Sequence, residues 1–108
     1  MHPAIFYNGG MPEVFDKSPH PRLVVTAIPV KIEIASDPYV VVTRLGYAPM
    51  VDVTLEDGAK QGLIISSATL TGGLEKLRKN NGGKLIGIKA ILRKESEDPK
   101  SKYIVEGV

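Results

Sequence analysis

Apolar and polar residues alternate along much of the chain, and this alternation predicts a series of short β-strands. In residues 51–56, valine and leucine alternate with aspartate, threonine and glutamate, which is typical of a strand with one buried face. Asp57-Gly58 comes next, and glycine accepts the positive φ that a tight turn requires. We therefore expect a hairpin between this strand and a further strand over residues 61–66.

Three more stretches have the composition of strands. Residues 39–45 form a β-branched run that stops at residues 46–49, Gly-Tyr-Ala-Pro, where we expect a loop. Residues 84–94 alternate, with Ile86 on the same face as the later apolar residues, which predicts one long strand. A polar loop follows, and residues 103–106 form the last predicted strand.

A single short helix is predicted between the third and fourth of these five strands. Its apolar stripe consists of leucines at i, i+4 and i+7, namely Leu70, Leu74 and Leu77. Thr69 or Thr71 is expected to cap its N-terminus, because a threonine hydroxyl accepts a hydrogen bond from a backbone N–H of the first turn.

The first 38 residues are less regular. Prolines recur through residues 1–22 and forbid a long helix or a central strand there, so we expect an extended arm. Residues 23–34 contain a β-branched run and then alternating valine and isoleucine, which predicts an extra strand. The expected organisation is an N-terminal arm over residues 1–22 and a single domain over residues 23–108.

The composition indicates one globular domain. The chain has 108 residues, of which 43% are hydrophobic and 24% charged, so it can bury a core without covalent crosslinks. It contains no cysteine, which excludes disulfide frameworks and thiolate zinc sites. No apolar run approaches the ~20 residues of a membrane span, and the first residues lack the basic and apolar regions of a signal peptide. We therefore expect an intracellular, cytoplasmic protein with no membrane partner.

Charge is unevenly distributed along the chain, whose formal net charge is +2. Residues 1–58 carry four basic and seven acidic side chains, whereas residues 59–108 carry ten basic and five acidic ones. The positive field is therefore expected in the second half of the chain. A lysine-rich surface that serves only solubility would have the same signature, so charge alone leaves both interpretations open.

The order of the elements predicted from Tyr39 onward resembles the OB fold. That fold is a partly open five-stranded Greek-key barrel, here with a helix between the third and fourth strands. Residues 83–89 and residues 102–106 also resemble the last hairpin of small single-stranded-DNA-binding OB proteins of phages and archaea. There, a basic strand is followed by a charged loop and by a strand that ends near a glutamate. The resemblance implies a mainly β, OB-like barrel that binds single-stranded DNA or RNA without catalysis.

The resemblance also locates a nucleic-acid groove. OB barrels bind single strands beside the loop between strands one and two and the loop between strands four and five. Such grooves combine cations with aromatic rings on which bases stack. Tyr47 and Tyr103 are the expected stacking residues. The expected phosphate contacts come from six basic side chains, namely Arg44, Lys89, Arg93, Lys94, Lys100 and Lys102. Moderate, salt-sensitive affinity with little sequence preference follows.

Other interpretations of these residues stay open. The tyrosines can pack against a core, and lysines commonly keep a sheet edge soluble. Three acidic residues lie inside the second of the two loops and would repel phosphates, namely Glu95, Glu97 and Asp98.

Catalysis has little support in the sequence. His2 and His20 lie beside prolines without the spacing of a metal-binding pair, and we expect them to be solvated. The acidic residues are dispersed and suit solubility as well as acid–base chemistry. We therefore expect no enzymatic activity, no metal and no cofactor.

The main alternative function is a protein-interaction or assembly module. An alternating edge strand over residues 23–34 would suit pairing with a strand of another chain, with the N-terminal arm adding contacts. A homo-oligomer would then form through the N-terminal segment.

Overall fold

The computed structural model describes residues 14–108, which form seven strands and one helix. The elements are β1 (Val14–Phe15), β2 (Val30–Ile34), β3 (Tyr39–Thr43), β4 (Gly46–Leu55), β5 (Lys60–Ile64), α1 (Ala68–Lys79), β6 (Lys89–Lys94) and β7 (Tyr103–Gly107). The predicted mainly β class with a single short helix is confirmed. Within residues 14–108, no helix has the length and apolar character needed to cross a membrane.

The seven strands form one open sheet, and the predicted partly open barrel of five strands is therefore not what the structure shows. The order in the sheet is β1-β3-β4-β2-β6-β7, and β5 pairs with β4 outside this path. All pairs are antiparallel except β1 with β3. The helix follows the fifth of the seven strands.

The position of α1 explains why the sheet does not close between β5 and β7. The backbone N–H of Tyr103 at the start of β7 donates a 3.0 Å hydrogen bond to Oγ1 of Thr69 in the helix. Further along, Gly73 of the helix packs against Val105, and Leu77 packs against Gly107. The helix therefore lies along β7 where a barrel would place another strand.

Two hydrophobic clusters form within the described residues, and β4 contributes to both. The large cluster includes Val51 and Val53, and the small cluster includes Ala48 and Met50. Met50 and Val51 are neighbours in sequence, and successive side chains of a strand point to opposite faces. β4 therefore separates the two clusters. In the small cluster, the rings of Phe15 and Tyr39 meet edge to face with centroids 5.2 Å apart.

The long strand predicted over residues 84–94 is wrong in its first half. The strand β6 begins only at Lys89, and Leu85 is buried while Ile86 is exposed, the reverse of the predicted alternation. Gly87 has a φ of +91°, which interrupts the extended backbone. The Asn81 side-chain amide donates hydrogen bonds to the carbonyl oxygens of residues 84 and 86 and holds this segment as a turn.

The helix stripe is confirmed, but the predicted cap is wrong. Leu70 and Leu74 are fully buried, and the helix begins after Ser67, whose side chain makes no capping hydrogen bond. The two threonine hydroxyls serve tertiary contacts instead. Thr71 donates to the carbonyl of Ile65, and Thr69 accepts from β7.

The extra strand predicted over residues 23–34 is shorter than expected and is not an edge strand. Only Val30–Ile34 forms a strand, β2, and it is hydrogen-bonded to β4 on one side and to β6 on the other. Part of the predicted arm contacts the sheet, because β1 pairs with β3 and Arg22 bridges to Gly62 of β5. The remainder of the predicted arm, residues 1–13, lies outside the described residues.

Candidate nucleic-acid interface

The β3–β4 hairpin carries two of the predicted site residues, Arg44 and Tyr47. Residues 46–49, predicted as a loop, belong to β4, and the connection is the two-residue turn Arg44-Leu45. The Thr43 hydroxyl stabilises the turn by donating to the Gly46 carbonyl at 2.7 Å, and Gly46 has a φ of +114°. Tyr47 pairs with Val42 across the hairpin, and its side chain is 77% exposed.

A surface cavity of about 530 Å³ lies beside this hairpin. We call it the basic hollow, and it is lined by Arg22, Thr43, Arg44, Leu45, Tyr47, Ala48, Ile64 and Ser66. It opens where β5 diverges from β4, after the hydrogen bond of 3.0 Å from Ile65 N–H to the Pro49 carbonyl.

The basic hollow has a positive charge that its own lining does not neutralise. Arg22 and Arg44 supply two guanidinium groups, and none of the eight lining residues is acidic. Within residues 14–108, neither arginine has a carboxylate oxygen within 4.0 Å. The hollow therefore combines two available cations with an exposed aromatic ring.

Arg22 reaches the hollow because the chain before it lies across the sheet at Gly62. The Gly62 N–H donates to the Pro21 carbonyl at 2.8 Å, and the Gly62 carbonyl accepts from the Leu23 N–H at 2.8 Å. A Cβ at residue 62 would lie 2.6 Å from Sδ of Met50 and 2.8 Å from Oγ of Ser18. The lack of a side chain at Gly62 thus admits the segment that carries Arg22.

This segment, residues 16–22, which we call the strap, is held by a polar cluster around Asp52. The Tyr39 hydroxyl donates to Oδ1 of Asp52 at 2.5 Å, and Nε2 of His20 lies 3.7 Å from Oδ2. Ser18 donates to the His20 carbonyl at 2.6 Å. His20, expected to be solvated, is half-buried beside Asp52, and His2 lies outside the described residues. Burial, and then the hydrogen bond and negative charge of Asp52, raise the pKa of the Tyr39 hydroxyl above its usual range.

Lys89 and Arg93 lie on β6, away from the basic hollow. Lys89 is directly across from Glu33 of β2, and both line a second surface cavity of about 250 Å³ together with Glu56. Acidic neighbours offset the charge that Lys89 would offer a phosphate. Arg93 is half-buried and pairs with Ile104 of β7.

The other four predicted residues lie at the β6–β7 connection. Nζ of Lys94 donates to the Pro99 carbonyl at 3.0 Å and lies 5.2 Å from the centroid of the Tyr103 ring. Tyr103 is half-buried and packs against the large cluster, so its ring is partly covered on the inner side. Lys100 and Lys102 are exposed in a loop that also contains three acidic residues.

The structure thus brings Arg44 and Tyr47 together and separates them from the other six predicted residues. None of those six lines the basic hollow. Arg22 does, and sequence reasoning missed it because a proline-rich arm gives no sign of a contact with a residue 40 positions later. The one local hint is Gly62, a glycine inside an otherwise regular strand pattern.

No protein-family model, no curated protein and no solved structure matches this chain. Within residues 14–108, no group of three or more histidine, aspartate or glutamate side chains is placed to hold a metal ion.

Proposed function

We propose that the protein binds single-stranded nucleic acid, without catalysis and with little sequence preference, and that the basic hollow is its binding site. The observation that carries the proposal is the meeting of two guanidinium groups and one exposed tyrosine at a cavity with no acidic lining residue. Phosphates supply the negative charge that such a cavity lacks, and every base offers a π-face to an aromatic ring.

Each lining residue has a chemical role in this proposal. Arg22 and Arg44 contact phosphate oxygens, since a guanidinium presents donors that match the oxygens of a phosphate. Tyr47 stacks on a base, and its position on the hairpin leaves its ring exposed, as stacking requires. Because neither contact reads a base identity, the affinity depends on salt more than on sequence.

The strand pairing supports a relation to the OB fold. β2 pairs with both β4 and β6, β4 pairs with β5, and β6 pairs with β7. In this relation, β2 and β3 together occupy the place of the first OB strand, and α1 takes the space where the last strand would close the barrel. The β3–β4 turn then corresponds to one of the two loops that flank an OB binding groove.

Fluorescence anisotropy with labelled oligothymidine at low salt tests the proposal. Arg22→Ala and Arg44→Ala should each weaken binding by about fivefold, the effect of losing a phosphate contact of about 1 kcal/mol. Tyr47→Ala should weaken it by about fivefold or more through lost stacking. Lys79→Ala, which removes an exposed cation of α1 outside the hollow, is the matched control and should bind like the wild type.

Two results would count against the proposal. One is no binding at a protein concentration of about 10⁻⁴ M, where even non-specific nucleic-acid binders associate. The other is equal weakening by Lys79→Ala and by the two hollow variants, because that pattern would reflect net charge alone.

A second candidate function is self-assembly through the segment before β2. Val24 and Ile28 are 74% and 75% exposed, and both line a surface cavity of about 420 Å³. Exposed apolar side chains that share one cavity favour contact with another protein surface. β2 itself has both edges occupied, so strand pairing through residues 30–34 does not support assembly.

Light scattering distinguishes the second candidate. An oligomer that dissociates in Val24→Ser and Ile28→Ser, but not in the control Ile86→Ser, would favour assembly. Ile86 is also an exposed apolar residue and lies outside this cavity. A monomer at all concentrations would rule assembly out. Deletion of residues 1–34 is unsuitable, because it removes the central strand β2.

A further inference from the structure

We infer that the backbone N–H and C=O of Tyr47 bind the Watson–Crick edge of an unpaired base, so that the ligand must be single-stranded at the basic hollow. This inference rests on the proposed function and deepens it. It assigns a second role to Tyr47, in which the side chain stacks on one base while the main chain hydrogen-bonds a base.

The sheet register directs the Tyr47 backbone into the hollow. In the β3–β4 hairpin, Thr43 pairs with Gly46 across the two-residue turn, and Val41 pairs with Ala48. Residues at alternate positions of an antiparallel strand point their N–H and C=O groups to opposite sides. Gly46 and Ala48 therefore bond to β3, and the N–H and C=O of Tyr47 point away from β3, toward the side that β5 occupies further along.

Among the described residues, none is placed by the sheet register to hydrogen-bond with the N–H and C=O of Tyr47. The last hydrogen bond between β4 and the β5 segment joins the Ile65 N–H to the Pro49 carbonyl. The residue that would face Tyr47 next is Ser67, which is the N-cap residue of α1. The pairing of β4 with β5 ends at Met50 and Ile64, and within residues 14–108 no hydrogen bond outside the strand pairs involves the N–H or C=O of Tyr47. A donor, an acceptor and a hydroxyl thus line the same cavity beside two arginines.

An unpaired base is the ligand that fits this combination. The Watson–Crick edge of each base presents a hydrogen-bond donor next to an acceptor, which a main-chain N–H and C=O on one side of a strand complement. In a duplex these edges are already paired, so the hollow discriminates against double strands. A peptide strand could also pair with Tyr47, but two guanidiniums without an acidic neighbour favour a phosphate-bearing ligand over an ordinary peptide.

Base isosteres test the inference. Binding of the full chain is compared between a thymidine hexamer and a hexamer in which every base is difluorotoluene, which has the shape of thymine without its hydrogen-bonding groups. We expect the isostere to bind about two- to tenfold more weakly, the effect of one or two hydrogen bonds lost on one side. A duplex of the same length should bind more weakly still.

Amide chemical shifts supply a second readout. On titration with the thymidine hexamer, the Tyr47 amide should move downfield. The Ala48 amide, which bonds to Val41 within the hairpin, is the internal control and should move less.

If the isostere binds as tightly as thymidine and the Tyr47 amide does not move, the inference is overturned and the proposed function still holds. If neither hexamer binds, the inference and the proposed function are both overturned. If an acidic peptide moves the Tyr47 amide and displaces the hexamer, the hollow pairs with peptide strands and the inference is again overturned.

Discussion

Gly73 packs so closely against Val105 that a Cβ on the glycine would lie 2.6 Å from Cβ of the valine. This contact sets how near α1 approaches β7. Val105 itself packs against the large cluster, so it has no open space into which it can move away from the helix. The adjacent Gly72, in contrast, has nothing within 4 Å of the same position.

The two glycines predict opposite effects of one substitution. Gly72→Ala should raise the free energy of unfolding by about 0.5–1 kcal/mol, because alanine has the higher helix propensity and meets no neighbour. Gly73→Ala should lower it by about 1–2 kcal/mol, because overpacking against a valine Cβ exceeds the same propensity gain. Urea unfolding measures both. An equal gain in the two variants would mean that the helix can move away from β7 at little cost.

The polar cluster at Asp52 predicts a loss of stability at high pH. The pKa of the Tyr39 hydroxyl is raised in the folded protein, whereas in the unfolded chain it ionises near its ordinary value of about 10. The neutral hydroxyl thus contributes stability that is fully present below about pH 10 and is lost as the pH rises toward the folded pKa. Denaturant unfolding between pH 8 and pH 11 should show a steeper decline for the wild type than for Tyr39→Phe. Parallel declines would contradict this prediction.

The strap predicts that a residue outside the basic hollow affects binding. Gly62→Ala should destabilise the protein by about 1 kcal/mol, because its Cβ would meet Met50 and Ser18. It should also weaken oligothymidine binding, since displacing the strap moves Arg22. The Arg22→Ala, Gly62→Ala double variant tests whether Gly62 affects binding through the position of Arg22. Its affinity should match that of Arg22→Ala alone, and an additive loss would place the effect of Gly62 elsewhere.

Two phosphate contacts predict a shallow dependence of affinity on salt. For single strands the logarithm of the binding constant falls with the logarithm of salt by about 0.7 per phosphate neutralised, so Arg22 and Arg44 give a slope of about −1.4. Arg44→Ala should reduce the slope to about −0.7 by the same rule. A slope steeper than about −3 would require more cations, such as those of the β6–β7 connection, to contact the strand.

Local signals predicted the regular parts of the fold. The Asp57-Gly58 hairpin is present, with a positive φ at Gly58 and a hydrogen bond of 3.0 Å from its N–H to the Leu55 carbonyl. The leucine stripe of α1 is buried as expected. Both depend on spacing within a few residues, which is the information that hydrophobic periodicity contains.

Local side-chain hydrogen bonds and contacts between distant residues both account for what sequence reasoning missed. Gly87 and Asn81 turn residues 84–88 out of the strand that alternation alone predicts. The net positive charge of residues 59–108 directed most of the predicted phosphate contacts to β6 and the β6–β7 connection, whereas both arginines of the basic hollow come from the acidic first half of the chain. Backbone hydrogen bonds between Gly62 and the residues on either side of Arg22 hold Arg22 at the basic hollow. The number of charges in each half of the chain contains no information about such long-range pairing.

The division of the core by β4 has a consequence for local unfolding. Among the described residues, the small cluster has four buried members and the large cluster has thirteen. Segments with fewer buried contacts open at lower free energy than the global transition. β3 and the first half of β4, which supply the small cluster, can therefore open while the large cluster stays intact, and their amides should exchange with deuterium faster than those of β6. A bound nucleic-acid strand would slow that exchange, so the proposed binding surface is also the region whose stability a ligand would change most.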